Sequence, residues 1–236
     1  MSGSFGYDTM TLVGPGTWRV ARAAVDCALT AVDLVSNGGH RAAYALCRPP
    51  GHHATRSGYG GSCYLNNAAV AARALLGAGH ERVAILDVDA HHGNGTESIF
   101  YDSAAVFYAS VHVDPGAGWF PHYVGFADET GVGAGLGATL NVPLAPGAGD
   151  KQWLDGVRRI ATAAADHGAS ALVVSLGVDA AVDDPESPLR VSAAGYRTAG
   201  NMLGDLGLPT VAVQEGGYHL PTLGSLVTGF LDGLGR

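Results

Sequence analysis

The chain has 236 residues, 36 of them glycine, with 13 Lys+Arg against 21 Asp+Glu and a formal charge of −8. A composition of 47% hydrophobic and 14% charged residues belongs to a chain that buries a core, and excludes a disordered one. The acidic balance argues against nucleic acid or an anionic membrane as partner, because no basic patch is there to release counterions; Cys27, Cys47 and Cys63 are too few for a disulfide framework.

No apolar run is long enough to span a membrane, and the opening MSGSFGYDTM lacks a basic region followed by an apolar one, which predicts a cytoplasmic protein. No linker or repeat divides the chain, so residues 1–236 read as a single domain. In chain order the pattern predicts a helix over 17–35, a strand over 42–47, a helix over 67–76, a strand over 83–88 and a short helix over 96–101. Strands over 106–111 and 139–142 follow, then a helix over 151–167 and a strand over 171–176. A helix over 193–206, a strand over 210–213 and a helix over 223–234 complete the series. Several strands are apolar throughout, as strands buried on both faces are. The alternation predicts an α/β fold in three layers, a mainly parallel sheet between helices, with ligands at the carboxyl ends of the strands.

Four segments at those ends carry the concentrated chemistry. They are Arg48-Pro49-Pro50-Gly51-His52-His53, Asp87-Val88-Asp89-Ala90-His91-His92-Gly93-Asn94, Gly177-Val178-Asp179 with Asp183-Asp184-Pro185-Glu186, and Gln214-Glu215-Gly216-Gly217-Tyr218. Asp89 and His91 are two apart, so on extended backbone both side chains point the same way. With Asp179 as a third donor they suit a borderline divalent ion such as Zn²⁺ with an open position for water. The plainer alternative is that Asp89 and His91 pair with each other or with backbone amides. Adjacent His52 and His53 after Pro-Pro-Gly are poor core filler and suit general acid–base work, each imidazole needing a partner on its other nitrogen. Asp87 and Asn94 are available; an Asp partner favours imidazolium, an Asn partner only orients the ring. Tyr218 follows two glycines that let the backbone approach a ligand, and its phenol suits a developing oxyanion; alone, Gly-Gly-Tyr more often marks a turn.

Together these segments, with residues 61–67, resemble the zinc-dependent histone deacetylase and acetylpolyamine amidohydrolase family, from about Phe5 onward. Asn94 stands where class I members have Asp, so the likeness is to the bacterial and class II branch. The resemblance implies an arginase/deacetylase-like fold and hydrolysis of acetyl amides of polyamines, acetyl-lysine or related acylamines. It implies Asp89, His91 and Asp179 as zinc ligands, His52 and His53 oriented by Asp87 and Asn94 respectively, His53 as the principal proton shuttle, and Tyr218 as the carbonyl polariser. It further implies a structural K⁺ or Na⁺ held by Asp87, the carbonyls of Asp89 and His91, Ser110 and Val111, and a second cation on the carbonyls of Phe100, Ser103 and Val106. Members of this branch are often dimers, which makes a homodimer an expectation.

Three departures from the family pattern matter. Ser62 replaces the aromatic before Cys63 beside Gly61, while Phe120 keeps the opposite wall of the acyl tunnel; the smaller wall either admits bulkier substrates or weakens binding. Glu186 follows Asp184-Pro185 where many relatives are apolar, and a carboxylate at the mouth favours a cationic substrate tail; the plainer alternative is a solvated surface Glu. Relatives carry further residues before the segment matching Phe5, which supply edge elements of the sheet and a rim loop, so the resemblance implies an N-terminally shortened fold. Two alternatives stand beside the deacetylase reading. Arginase-like two-manganese enzymes place extra carboxylates where this chain has Gly93 and Ala181, which favours one metal. A non-catalytic relative that binds an acylated ligand or a partner is the other.

Overall fold

The computed structural model describes residues 4–235. Helix α1 (Thr17–Ser36) leads to strand β1 (Ala42–Ala45), α2 (Asn67–Gly77), β2 (Val83–Asp87), α3 (Asn94–Phe100), β3 (Val106–Val113) and β4 (Thr139–Leu144). Then come α4 (Asp150–Asp166), β5 (Ala171–Leu176), α5 (Ala193–Gly204), β6 (Thr210–Gln214) and α6 (Leu220–Leu234). All twelve correspond to elements expected from the periodicity; β5 has the expected bounds, and the others differ at one or both ends. β1 stops at Ala45 because the Cys47 amide turns back onto the Ala45 carbonyl, 2.8 Å away. Helix α6 starts at Leu220 because Pro221 occupies the first turn, where its missing N–H is not needed. Asn66 and Ser192 cap α2 and α5 through the Ala69 and Gly195 amides.

The six strands form one sheet in the order β1-β6-β5-β2-β3-β4, and every neighbouring pair is parallel. Strands β2, β3, β5 and β6 are buried at every residue, which explains their lack of polar alternation. Their side chains alternate between the two faces. Val83, Ile85, Val173 and Val211 pack with α1 and α2 residues such as Ala28, Ala72 and Leu75. Ala84, Leu86, Leu172 and Val174 pack with Trp153, Ile160, Tyr196 and Phe230 on the opposite side. Burying a side chain of Leu or Phe size contributes about 1.5–3 kcal/mol, so this double-faced core anchors the central strands against the pull of a charged site at their ends. No helix among the described residues is long and apolar enough to cross a membrane.

Topology decides where the site forms. The chain runs from β2 outward through β3 to the edge strand β4, then returns to lay β5 against the other side of β2. Loops leaving β2 and β5 therefore diverge in sequence but share one rim, with the β6 loop beside them.

Candidate metal and active site

Asp87 ends β2, and the chain then bends through Asp89, Ala90 and His91, with Asp87 Oδ1 accepting the Asp89 amide at 3.1 Å and Asp89 Oδ1 the His91 amide at 2.9 Å. His91 Nδ1 lies 2.9 Å from Asp179 Oδ2 and 3.3 Å from Asp89 Oδ1. One donor atom from each of these three residues lies within 4.8 Å of the other two. The carboxylates are held from behind: Asp89 Oδ2 accepts the Gly216 amide at 2.8 Å, and Asp179 Oδ1 accepts the Ala90 amide at 2.8 Å. Glycine is required around them. A Cβ on Gly177 would overlap the Asp89 carboxylate, and one on Gly216 would sit 2.5 Å from Asp179 Oδ2 and 2.6 Å from Asp89 Oδ2.

Burial opposes a charge on His91, yet the hydrogen bonds and charges of Asp179 and Asp89 outweigh it and lift the imidazole to about 10. Burial, with the Asp89 charge beside it, pushes Asp179 up to about 6. Two converging carboxylates and one imidazole in a buried cradle thus stabilise positive charge strongly, and in number and type they fit a Zn²⁺ site that leaves a position open. A second group within reach of one another, His52, Cys63 and Glu215, is a poor rival. Burial and the Glu215 charge hold the Cys63 thiol well above its usual range, and Glu215 Oε2 is taken up by the Gly51 and His52 amides at 2.7 and 3.1 Å.

The tandem histidines divide as their partners dictate. His52 Nδ1 lies 2.9 Å from Asp87 Oδ2, and His53 Nδ1 lies 2.8 Å from Asn94 Oδ1. Both rings are buried, with centroids 3.9 Å apart. Burial disfavours the charged form of each. For His52 the Asp87, Asp89 and Glu215 charges overcome that penalty and hold it well above the usual range. For His53 the adjacent His52 charge adds to burial and holds it well below. One imidazolium and one neutral imidazole therefore lie side by side.

Tyr218 leaves the β6 loop after Gly217, whose φ of 147° suits glycine. Burial and the Asp179 and Asp89 charges push its phenol up, so it remains a donor. With His53, His91, Gly61, Ser62, Phe120 and Glu186 it lines a pocket of about 400 Å³, to which Asp8 and Met10 also contribute. Phe120 stands edge-on to His53 at 4.8 Å. Gly61 and Ser62 both adopt the left-handed region (φ 56° and 62°), and a Cβ on Gly61 would overlap the His53 ring. Glu186 lies exposed at the rim.

For the expected monovalent cations the structure gives placement only. Asp87 and Ser110 are register partners across β2 and β3, Val111 follows, and the Ser110 hydroxyl lies 2.8 Å from His112 Nδ1. Phe100, Ser103 and Val106 lie on the turn from α3 to β3, where the Phe100 carbonyl accepts the Ser103 amide at 2.9 Å. Among the positions where a two-metal site needs carboxylates, Gly93 and Ala181 offer no donor. Sequence reasoning gave no role to Asp8, Thr11, Asp184 or Glu215. Asp8 Oδ2 accepts the Gly61 amide at 2.6 Å and Thr11 Oγ1 the Ser62 amide at 2.8 Å, so residues near the start of the chain hold the pocket wall. Nothing local signals that, because the contact spans fifty residues. Glu215 did leave a signal, as an acid directly after a strand that is buried at every residue.

The model of the histone deacetylase domain matches residues 2–234. Acetylpolyamine amidohydrolase of Mycoplana ramosa is 46% identical over 241 residues, covering 99% of this chain and 69% of the relative. Acetylpolyamine amidohydrolase 1 of Pseudomonas aeruginosa is 44% identical, covering 98% and 66%. The crystal structure of acetylpolyamine aminohydrolase from Burkholderia pseudomallei superposes with a TM-score of 0.91 at 46% identity, covering 95% of this chain and 65% of that one. The chain spans about two thirds of the length of these relatives. The sheet and its flanking helices are those of the arginase/deacetylase fold, and the chain belongs to the histone deacetylase domain family.

Proposed function

We propose that the chain hydrolyses acetyl-amide bonds of small acetylated amines, with acetyl-lysine as a further substrate class, in a zinc-dependent reaction. One observation carries the reading: His53, His91 and Tyr218 line one pocket, with the His52 ring 3.9 Å from that of His53 and donor atoms of Asp89 and Asp179 within 4.8 Å of His91. Asp89, His91 and Asp179 would hold the ion. When bound, zinc supplies Lewis-acid polarisation of the carbonyl and acidifies water.

The chain's own residues do the rest. Phe120, Gly61 and Ser62 confine the acyl chain. Neutral His53, its ring fixed through Nδ1 by Asn94, accepts a proton from the attacking water. His52, kept charged by Asp87, stabilises negative charge beside it. As the acyl carbon becomes tetrahedral, the Tyr218 hydroxyl donates to its oxygen. The C–N bond then breaks, the nitrogen takes the proton held by His53, and acetate and a free amine leave. Glu186 at the rim favours a cationic tail, the complement of a net charge of −8. A structural K⁺ or Na⁺ at Asp87, Ser110 and Val111 belongs to the same reading.

Metal analysis combined with turnover of an acetyl-lysine peptide and N-acetylputrescine tests it. One zinc per chain with amine release is expected. Metal-free protein that binds these compounds without turnover would instead mean an acyl-ligand-binding module.

A further inference from the structure

The Tyr218 hydroxyl has no hydrogen-bond partner among the described residues, and the residue is 41% exposed. Its position is therefore set by its backbone. Two anchors fix that backbone. Behind it, the Gly216 amide is tied to Asp89, and Gly217 packs so closely that a Cβ would sit 2.7 Å from both Leu223 Cδ1 and Val178 Cγ2. Ahead of it, one oxygen of Asp184 accepts two amides, Tyr218 at 2.6 Å and His219 at 3.0 Å. They are the amides of the α6 N-cap residue, His219, which supplies no side-chain cap, and of the residue just before it. The other oxygen of Asp184 accepts the Glu186 amide at 3.0 Å. Asp184 is itself buried, held in a turn by its amide on the Ala181 carbonyl and its carbonyl on the Ser187 amide.

We infer that Asp184 is a positioning residue that sets the spacing between the Tyr218 phenol and the Glu186 rim carboxylate. The inference rests on the function proposed above. One buried carboxylate joins the group that meets the acetyl oxygen to the group that meets the substrate's tail. Its two oxygens serve two different loops, so an amide in its place satisfies only one. With Asn, either the oxygen faces Tyr218 and His219 and an NH₂ is thrust at the Glu186 N–H, or the reverse.

Asp184→Asn, assayed in the zinc-loaded full chain, is expected to lower kcat by roughly ten- to a hundredfold, the range for a small displacement of a group at the reacting centre. It should also raise KM for N-acetylputrescine while zinc stays at one per chain. In a Tyr218→Phe background the same substitution should change kcat little, because its effect passes through the phenol. Multiplicative losses in the double variant would overturn the inference and leave Asp184 a structural residue. Should Asp184→Asn not fold, hydrogen exchange on the unsubstituted protein decides. Tyr218 and His219 amides as slow as those inside α6 are expected, and exchange at the open-loop rate would overturn it. If the unsubstituted protein shows no turnover, the proposed function fails on its own, and the exchange measurement still judges the anchor.

Discussion

Asn94→Asp tests the division of labour between the two histidines. The variant changes one NH₂ to O⁻ while keeping the size of the side chain, and the acceptor already lies 2.8 Å from His53 Nδ1. A hydrogen bond to a charged group contributes about 1.5–3 kcal/mol against about 0.5–1.5 for a neutral one, so the direct gain for imidazolium is ~1–2 kcal/mol. At about 1.4 kcal/mol per pKa unit, His53 should rise by roughly one unit from the hydrogen bond alone. Full Coulomb attraction of about 4 kcal/mol, taken at 4 Å and an effective dielectric of 20, sets the upper end near three units. His53 begins well below its usual range because burial and the charge on His52 both oppose protonation. A rise makes the base protonated, and so unable to accept, at higher pH. The acidic limb of the kcat/KM–pH profile should therefore move up by about one to three units, with little loss on the alkaline plateau. An acidic limb that stays put, with zinc fully bound, would refute the assignment of His53 as the neutral base.

Three further outcomes are expected. Tyr218→Phe should cut turnover by roughly a hundred- to a thousandfold, the cost of one oxyanion donor, with metal content unchanged; an unaltered rate removes the phenol from the mechanism. Glu186→Gln should raise KM several-fold for N-acetylputrescine and leave that for an uncharged acetylated amine alone, with the difference fading in high salt; equal effects on both substrates would show that the rim charge does not read the tail. Glu215 is a fully buried acid that burial and the Asp87 charge push up to about 7, against attraction from His52. A carboxyl raised in the folded state contributes stability that is intact below about pH 4.5 and lost as pH rises through about 7, a loss on the order of 3 kcal/mol. Metal-free Glu215→Gln should thus gain on the parent protein in urea denaturation between pH 5 and pH 8, and a gap that does not vary with pH would rule this out.

Much of the architecture was legible because its determinants are local. The runs 83–88 and 171–176, apolar but for Asp87 and Ser175, have no polar alternation, and they form strands 83–87 and 171–176 buried on two faces. The Asp89/His91 spacing reads as one side of an extended segment; the backbone bends at 89–91 instead, and the two side chains meet Asp179 through that bend. What was not legible depends on distant contacts. Thr11 reads as an ordinary polar residue near the start of the chain, yet it is almost fully buried beneath Ser62. Asp184 reads as a turn acid before proline, and its use appears only when the loops after β5 and β6 lie side by side. The identity of Ser62 was plain, but its positive φ was not, since that is imposed by the Asp8 and Thr11 anchors on the same turn.

Gly93 shows how one residue choice settles two properties. A Cβ there would overlap Asp87 Oδ2 and lie 2.8 Å from the Tyr108 hydroxyl and 3.2 Å from His52 Nδ1. Any side chain at 93 would therefore push apart the Asp87–His52 pair that keeps His52 charged. In two-manganese relatives of the fold this position carries a carboxylate, and here the space is filled by the acid–imidazole pair. Position 93 thus lacks both a carboxylate donor and the room for one. The tandem-histidine arrangement, with Asp87 turned to His52, occupies the volume that any side chain at 93 would need, so the Asp87–His52 pair and a carboxylate at 93 are alternatives at the same place.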